Sequence, residues 1–256
     1  MTKPSTTRLP NPALAAEKLL GRVEYAGTAT NLNKVVSLWP KLSVVEEDLD
    51  GAGYLLPIGE LGGTILVNRA DKEERKRFTI AHELGHWVLG LALKKATGHF
   101  SQPKSAPHAA IERWCDQFAT NLLMPESMIK AVFALRDPVL VLDSLAHAAS
   151  KFKVSELALF IRVWEVLRFQ VAFVALSGTS GRPDAQVEKS FADEQAQKAL
   201  ENALREPAVI NQLTSQQIIY FSLTYAEGKV KCFGRRLSLS RILLVLIWPI
   251  KTLTAI

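Results

Sequence analysis

Hydrophobic and polar positions follow a strand-like pattern before residue 70 and a helical one after it. The segments Leu42–Val45, Gly53–Ile58 and Thr64–Asn68 have β-type composition and are separated by turns that contain glycine and aspartate. From Asp71 onward the apolar residues recur every three or four positions. This spacing predicts a helix with one apolar stripe, formed by Ile80, Leu84, Trp87 and Leu91.

The same patterns divide the rest of the chain into predicted elements. They predict helices over residues 13–21, 109–124, 126–135, 138–150, 155–168 and 192–205, and strands over 217–226 and 229–234. Residues 178–184 (GTSGRPD) have the composition of a linker. We therefore expect an α+β protein with a domain over residues 1–170 and a smaller α+β domain over 171–256.

The composition is that of an ordinary globular protein. Hydrophobic residues make up 48% of the 256 residues and charged residues 22%, a balance that excludes a disordered chain. Cys115 and Cys232 lie far apart, so they predict neither a disulfide framework nor a thiolate zinc site. The chain starts without an apolar stretch of signal-peptide type, and the apolar run Ile242–Ile250 is too short to span a bilayer. We expect a soluble, cytoplasmic protein with no membrane partner.

Positive charge is concentrated in the second half of the chain. Residues 1–150 hold 17 Lys and Arg against 16 Asp and Glu, whereas residues 151–256 hold 14 against 9. A basic segment of this kind can contact nucleic acid through phosphates. We favour a solvated basic face, so nucleic acid is a possible partner but not the preferred one.

The motif that points to chemistry is His82-Glu83-Leu84-Gly85-His86, an HExxH sequence on the predicted helix. Residues four apart lie on one face of a helix, so His82 and His86 can bind the same metal ion. Glu83 lies beside them, where a carboxylate can act as general base on a water molecule. The motif therefore predicts a zinc hydrolase in which Glu83 is the catalytic residue.

A zinc hydrolase needs a third protein ligand. The extended HExxHxxGxxH motif is absent, because position 92 is alanine. Glu112 and Asp116 lie four residues apart on the next predicted helix, so one face can offer Glu112 to the metal and Asp116 to the free N–H of a ligating histidine. On spacing alone, a solvated pair of acids is an equally good interpretation.

Two blocks of the sequence, RFTIAHELGHWVLG (77–90) and ERWCDQFATNLLMP (112–125), resemble the ImmA/IrrE family of metallo-endopeptidases. The resemblance covers roughly residues 10–170. It implies that Glu112 is the third zinc ligand and that Asp116 stands where the family has Asn or Asp. Cys115 occupies a position where alanine is common in the family, and we interpret it as a buried thiol rather than a fourth metal ligand.

Several other residues could contribute to a site. His99 and His108 flank the loop between the two motif helices and could bind substrate or an oxyanion, although exposed loop histidines are the preferred interpretation. We expect a structural role for His147, and nothing in the sequence connects Tyr54 to the motif. Residues 138–168 look similar to a helix-turn-helix, in which Arg162 alone is well placed to face phosphate, and we expect this segment to serve packing.

These observations predict a zincin-like HExxH peptidase domain, with a small antiparallel sheet and a helical bundle, which binds Zn²⁺ through His82, His86 and Glu112. The family resemblance implies a protein substrate, commonly a helix-turn-helix repressor, whose cleavage controls stress-response or mobile-element genes. Two alternatives stay open. The chain could be a non-catalytic metal-binding regulator, or a toxin–antitoxin component that binds DNA or a protein partner.

Overall fold

A computed structural model describes residues 9–23, 27–59, 62–97, 107–133, 138–167, 170–177, 184–190, 194–215, 218–225, 228–238 and 241–247. The chain divides into two compact units. The first consists of Met1–Val132 and Ala146–Arg162, and the second of Phe133–Leu145 and Val163–Ile256. None of the described helices is long and apolar enough to cross a membrane.

The elements before the second sheet include three strands and seven helices among the described residues. In chain order they are α1 (Pro12–Leu20), α2 (Leu32–Val36), β1 (Leu42–Glu47), β2 (Gly53–Ile58), β3 (Gly62–Asn68), α3 (Glu73–Thr97), α4 (His108–Leu123), α5 (Glu126–Phe133), α6 (Pro138–Phe152) and α7 (Glu156–Leu167). All of these except the short α2 correspond to segments predicted from the sequence. The mixed α+β architecture is therefore confirmed.

Local capping explains where two of the helices begin. The side chain of Asn11 accepts a hydrogen bond from the Leu14 N–H at the start of α1, and Pro12 occupies the first turn. At the start of α7, Ser155 Oγ accepts a hydrogen bond from the Ala158 N–H at 3.1 Å, as an N-cap does. Ser155 therefore caps this helix.

The sheet of the first unit is mixed, so the expectation of an antiparallel sheet is wrong for one of its strand pairs. The strand order is β1-β3-β2, with β2 antiparallel and β1 parallel to β3. β2 and β3 follow each other in sequence and pair as antiparallel neighbours, which leaves the other edge of β3 to β1. β1 pairs with that edge in the same direction as β3. The Asn68 amide donates to the carbonyl oxygens of Leu49 and Gly51, which fixes the link between β1 and β2.

The core of the first unit lies between this sheet and α3. Ile65 and Val67 of β3 are buried, and so are Leu84 and Trp87 of α3, the middle of the predicted apolar stripe. Trp87 packs edge-on against Trp39, with ring centroids 6.4 Å apart. The opposite face of α3 is thereby left for polar side chains.

The turn between α6 and α7 is held by a buried arginine of α3. Lys153 has a positive φ of 54° at this turn. Arg77 Nε donates to the Lys153 carbonyl oxygen at 3.1 Å, and its Nη2 donates to the Thr30 carbonyl oxygen at 2.9 Å. These bonds attach the start of α7 to the motif helix.

Arg162 does not face outward, so the prediction that it is well placed to contact phosphate is wrong. The side chain is buried, and Nε donates to the Met124 carbonyl oxygen at 3.0 Å while Nη2 donates to Asn121 Oδ1 at 2.7 Å. An arginine whose donors meet carbonyl groups at a helix end serves packing. The expectation of a packing role for this residue is confirmed.

The second unit contains a five-stranded antiparallel sheet in the order β5-β4-β8-β7-β6. Its elements are β4 (Gln170–Ser177), β5 (Asp184–Ser190), α8 (Glu194–Ala203), α9 (Pro207–Ser215), β6 (Ile218–Tyr225), β7 (Gly228–Ser238) and β8 (Arg241–Ile247). The sequence predicted α8, β6 and β7 but missed β4, β5, β8 and α9. Most of the proposed linker, residues 178–184, lies outside the described residues.

Candidate metal centre

The two histidines of the HExxH motif project from the polar face of α3. Asp71 precedes this helix, and Glu73 and Glu74 lie in its first turn, where acids favour the helix N-terminus. One helical turn separates His82 from His86, and their Nε2 atoms are 3.2 Å apart. The motif therefore brings one nitrogen of each imidazole close enough for both to contact the same ion.

Glu112 of α4 reaches both of these nitrogens. Its Oε2 lies 3.3 Å from His82 Nε2, and its Oε1 lies 3.4 Å from His86 Nε2. Ligands held at about 2.0–2.1 Å around a tetrahedral zinc ion stand about 3.4 Å from each other. The three groups could therefore hold a metal ion together, with each histidine facing a different oxygen of Glu112.

Asp116 lies on the other side of the first imidazole. Its Oδ1 is 2.9 Å from His82 Nδ1. A carboxylate in this position accepts a hydrogen bond from the Nδ1–H group and leaves the Nε2 lone pair free for a metal, as outer carboxylates do in metalloproteins. The acid pair predicted on one face of α4 therefore does face the histidines. The Glu112 side chain is 35% exposed and that of Asp116 is 56% exposed.

A close contact between α3 and α4 makes these distances possible. A Cβ on Gly85 would lie 3.1 Å from Cys115 Cα and 3.2 Å from its Sγ. The absence of a side chain at Gly85 lets the two helices approach closely beside the cluster. Sequence reasoning did not give this glycine a role.

Cys115 is a further group near the histidines. It is fully buried, and its Sγ lies within 4.8 Å of ring nitrogens of His82 and His86, so these three residues are also compatible with metal binding. Burial raises the pKa of the Cys115 thiol far above its ordinary value, and the nearby carboxylates of Glu112 and Glu83 raise it further. Without a bound metal ion, this environment favours the protonated thiol.

Glu83, the acid of the HExxH motif, is buried, with an exposure of 8%. Burial raises the pKa of its carboxyl group, and the neighbouring charge of Glu112 raises it further, while His82 and a hydrogen bond from the Leu55 backbone N–H lower it. The side chain lines the cleft beside His82. A carboxylate in such a position is suited to accept a proton from a water molecule in that cleft.

The other candidates have different environments. His108 is the first residue of α4 and is 87% exposed, with Nε2 3.4 Å from Glu112 Oε1, so it stands at the rim of the cluster. His147 is exposed on α6, and Tyr54 is 46% exposed on β2. His99 lies outside the described residues.

A cleft of about 650 Å³ opens beside the cluster. Its lining includes His82, Glu83, Glu112 and Asp116. It continues along α3, α4 and the α6–α7 turn over residues that sequence reasoning did not select, namely Phe78, Leu123, Met124, Val154 and Ala158. These residues read as ordinary core positions in the sequence, because only the folded chain brings them to one cavity.

The part of the sequence that contains this cluster is similar to known proteins. Residues 41–163 match the family described as the IrrE N-terminal-like domain. The radiation response metalloprotease IrrE of Deinococcus radiodurans is 30% identical over 141 residues, which are 55% of this chain and 41% of that protein. The chain thus spans less than half the length of this relative.

A solved structure extends the similarity of fold to most of the chain. A transcriptional regulator from Mycobacterium tuberculosis superposes with a TM-score of 0.56 at 14% identity, covering 94% of this chain and 77% of that one. At this identity the similarity concerns the fold alone. The resemblance seen in the two sequence blocks is confirmed: residues 41–163, which contain every member of the cluster, match the IrrE N-terminal-like domain, and the IrrE metalloprotease is 30% identical to this chain over 141 residues.

Proposed function

We propose that this chain is a zinc-dependent endopeptidase in which His82, His86 and Glu112 hold the metal. The observation that carries the proposal is the convergence of two imidazole nitrogens and a carboxylate, 3.2–3.4 Å apart, at the wall of an open cleft. Three protein ligands and an open side are the arrangement of catalytic rather than structural zinc sites. The similarity of residues 41–163 to a metalloprotease family supports the same activity.

Glu112 is a better third ligand than Cys115. A cysteine binds zinc as thiolate, and burial together with nearby carboxylates opposes that form of Cys115. The side chain of Cys115 also packs against Gly85 at the contact between the helices. Glu112 directs its two oxygens at the two imidazoles, and the exposed His108 also lies beside its Oε1.

The mechanism divides the work among a few side chains. Zinc, when bound, supplies a Lewis acid that polarises a peptide carbonyl and lowers the pKa of water to about 7. Glu83 takes a proton from the attacking water and passes it to the leaving amine. Asp116 holds His82 in the tautomer whose Nε2 is free.

An extended peptide fits the free edge of β2. The Asn68 N–H donates to the Ala52 carbonyl oxygen, so alternate residues from Ala52 onward bond to β3 and those between them direct their backbone groups to the free edge. Gly53 is such a residue and lines the cleft, whereas the N–H of Leu55, the next outward residue, is bonded to Glu83. Backbone groups at a free strand edge bind peptides by adding a strand. This supports a protein substrate, which we propose to be a repressor-like regulatory protein of stress-response or mobile-element genes.

Substitution of the general base tests the proposal. The wild type should hold about one zinc per chain and cleave peptides, and Glu83→Gln should keep the zinc while losing about 10²–10⁴-fold in cleavage rate. His82→Ala should lose both the zinc and the activity. Metal analysis and mass spectrometry of a peptide library measure the two properties separately. Full cleavage by Glu83→Gln would contradict the mechanism, and zinc without cleavage in the wild type would favour a non-catalytic regulator.

A further inference from the structure

The cleft beside the metal cluster has several apolar side chains in its lining, together with the hydroxyl-bearing Thr79 and Ser155. We call the part lined by the apolar side chains the apolar pocket, and define it by Phe78, Leu123, Met124, Val154 and Ala158. Leu123, Met124 and Val154 are buried, at 1%, 2% and 6% exposure, and form its fixed walls. Ala158 is half-buried, and its small side chain leaves the space open.

The apolar pocket begins directly at the cluster. Phe78 precedes His82 by one helical turn on α3, and their ring centroids are 6.3 Å apart. A peptide whose scissile bond lies at the histidines therefore has a neighbouring side chain within reach of this space. The charged side chains of Lys72, Glu74 and Arg75 also line the cleft.

We propose that the apolar pocket receives a bulky aliphatic or aromatic side chain from one of the two residues that flank the scissile bond, and that Ala158 sets its depth. This inference rests on the proposed peptidase function and adds the class of residue at which the chain cuts. A charged or amide side chain would lose its hydration against these walls without gaining a hydrogen bond there. A leucine, methionine or phenylalanine side chain would bury its surface at no such cost.

The elements around the apolar pocket hold its shape. The Ser155 cap fixes the first turn of α7, which carries Ala158. The bond from Arg77 Nε to the Lys153 carbonyl oxygen attaches the preceding turn to α3. Arg162 in turn holds the Met124 carbonyl oxygen. The walls are therefore preformed, which is the condition for selecting a side chain by size.

Cleavage of a peptide library by two opposite variants tests the inference. The wild type should cut next to Leu, Ile, Met or Phe. Ala158→Phe fills the apolar pocket, so it should lower cleavage at these residues by about 10–200-fold, the range typical for hydrophobic pockets, relative to cuts at Gly, Ala or Ser. Met124→Ala enlarges it and should shift the preference toward aromatic residues. Ala146→Phe, on an exposed position of α6, is the matched control and should keep the wild-type pattern.

Zinc content and a thermal melt, measured on each variant, identify any variant that fails to fold. The cleavage pattern of the other, folded variant then tests the inference. A wild-type cut pattern without apolar preference would overturn the inference and leave the peptidase function intact. An unchanged preference in both folded variants would do the same. A zinc-loaded wild type that cuts no peptide in the library would overturn the peptidase function and this inference together.

Discussion

Each carboxylate of the cluster has a distinct contact, so its loss should have a distinct effect. Glu112 approaches both Nε2 atoms, whereas Asp116 contacts only the far nitrogen of His82. We expect Glu112→Ala to abolish zinc retention, because two imidazoles alone hold the ion weakly. Asp116→Ala should weaken zinc affinity by about 10–100-fold, as the loss of an outer partner usually does. A zinc-competition titration measures both affinities.

His108 provides the control for this pair. It also touches Glu112, but it is 87% exposed, and exposed ion pairs contribute little. His108→Ala should therefore bind zinc as the wild type does. If Asp116→Ala lost the metal and Glu112→Ala kept it, the two roles would be exchanged and the proposed third ligand would be wrong.

Cys115 allows a second test of the ligand set. The residue is buried against Gly85, and its thiol has a raised pKa, chiefly because of burial. We predict that Cys115→Ala keeps one zinc per chain with nearly unchanged affinity. Cobalt substitution followed by absorption spectroscopy gives an independent readout, since a thiolate ligand produces a sulfur-to-metal charge-transfer band. Such a band in the wild type, lost in Cys115→Ala, would contradict the assignment of Glu112.

The sequence predicted the cluster better than its surroundings, for a physical reason. The HExxH spacing places His82 and His86 on one helix face, and the spacing of Glu112 and Asp116 does the same on α4. Side chains within one helix have relations that the sequence alone determines. The distance between α3 and α4, the role of Gly85 and the walls of the cleft depend on tertiary packing, which spacing does not reveal.

At the scale of elements, the contact between α3 and α4 determines whether Glu112 can reach the histidines. A methyl group at Gly85 would lie 3.1–3.2 Å from Cys115 backbone and side-chain atoms, closer than usual contact, so Gly85→Ala should displace α4 by a few tenths of an ångström. Overpacking of this kind costs about 1–3 kcal/mol in the free energy of unfolding. Zinc affinity should fall as well, because Glu112 moves with α4.

Gly51→Ala is the matched control for that substitution, because a Cβ at Gly51 meets no atom within 4 Å. It should leave both the free energy of unfolding and the zinc affinity near wild-type values. Urea unfolding and zinc titration of the two variants provide the comparison. Equal values for Gly85→Ala and the wild type would mean that the close approach of the helices is not needed for metal binding.

Two of the strands missed by sequence reasoning share a cause. β8 (RILLVLI) is continuously apolar after Arg241, and β4 (QVAFVALS) is nearly so, which leaves no alternation to identify a strand. Arg162 was misjudged for a related reason, since an arginine on a helix usually faces solvent, whereas this one meets a carbonyl oxygen and a side-chain amide. Both cases need knowledge of what covers the element, which only the tertiary structure supplies.

At the scale of the whole molecule, the metal should stabilise one unit and not the other. His82, His86, Glu112 and Asp116 all belong to the unit formed by Met1–Val132 and Ala146–Arg162. A ligand that binds only the folded form stabilises it by about 2.7 kcal/mol at a free concentration 100 times its Kd. That stabilisation acts on the unfolding of the elements that carry the ligands, α3 and α4.

Hydrogen exchange with and without zinc measures this effect segment by segment. With zinc at 100 times its Kd, amides of α3 and α4 that exchange through unfolding of their unit should slow by about 100-fold. Amides of β6 and β7, in the other unit, should exchange at unchanged rates. His82→Ala should show no zinc response in either unit, which separates site binding from general effects of the ion. Slowing of exchange confined to β6 and β7 would place the metal elsewhere. Equal slowing throughout would mean that the two units unfold as one, because zinc bound to one unit would then also protect the second sheet in the common unfolding step.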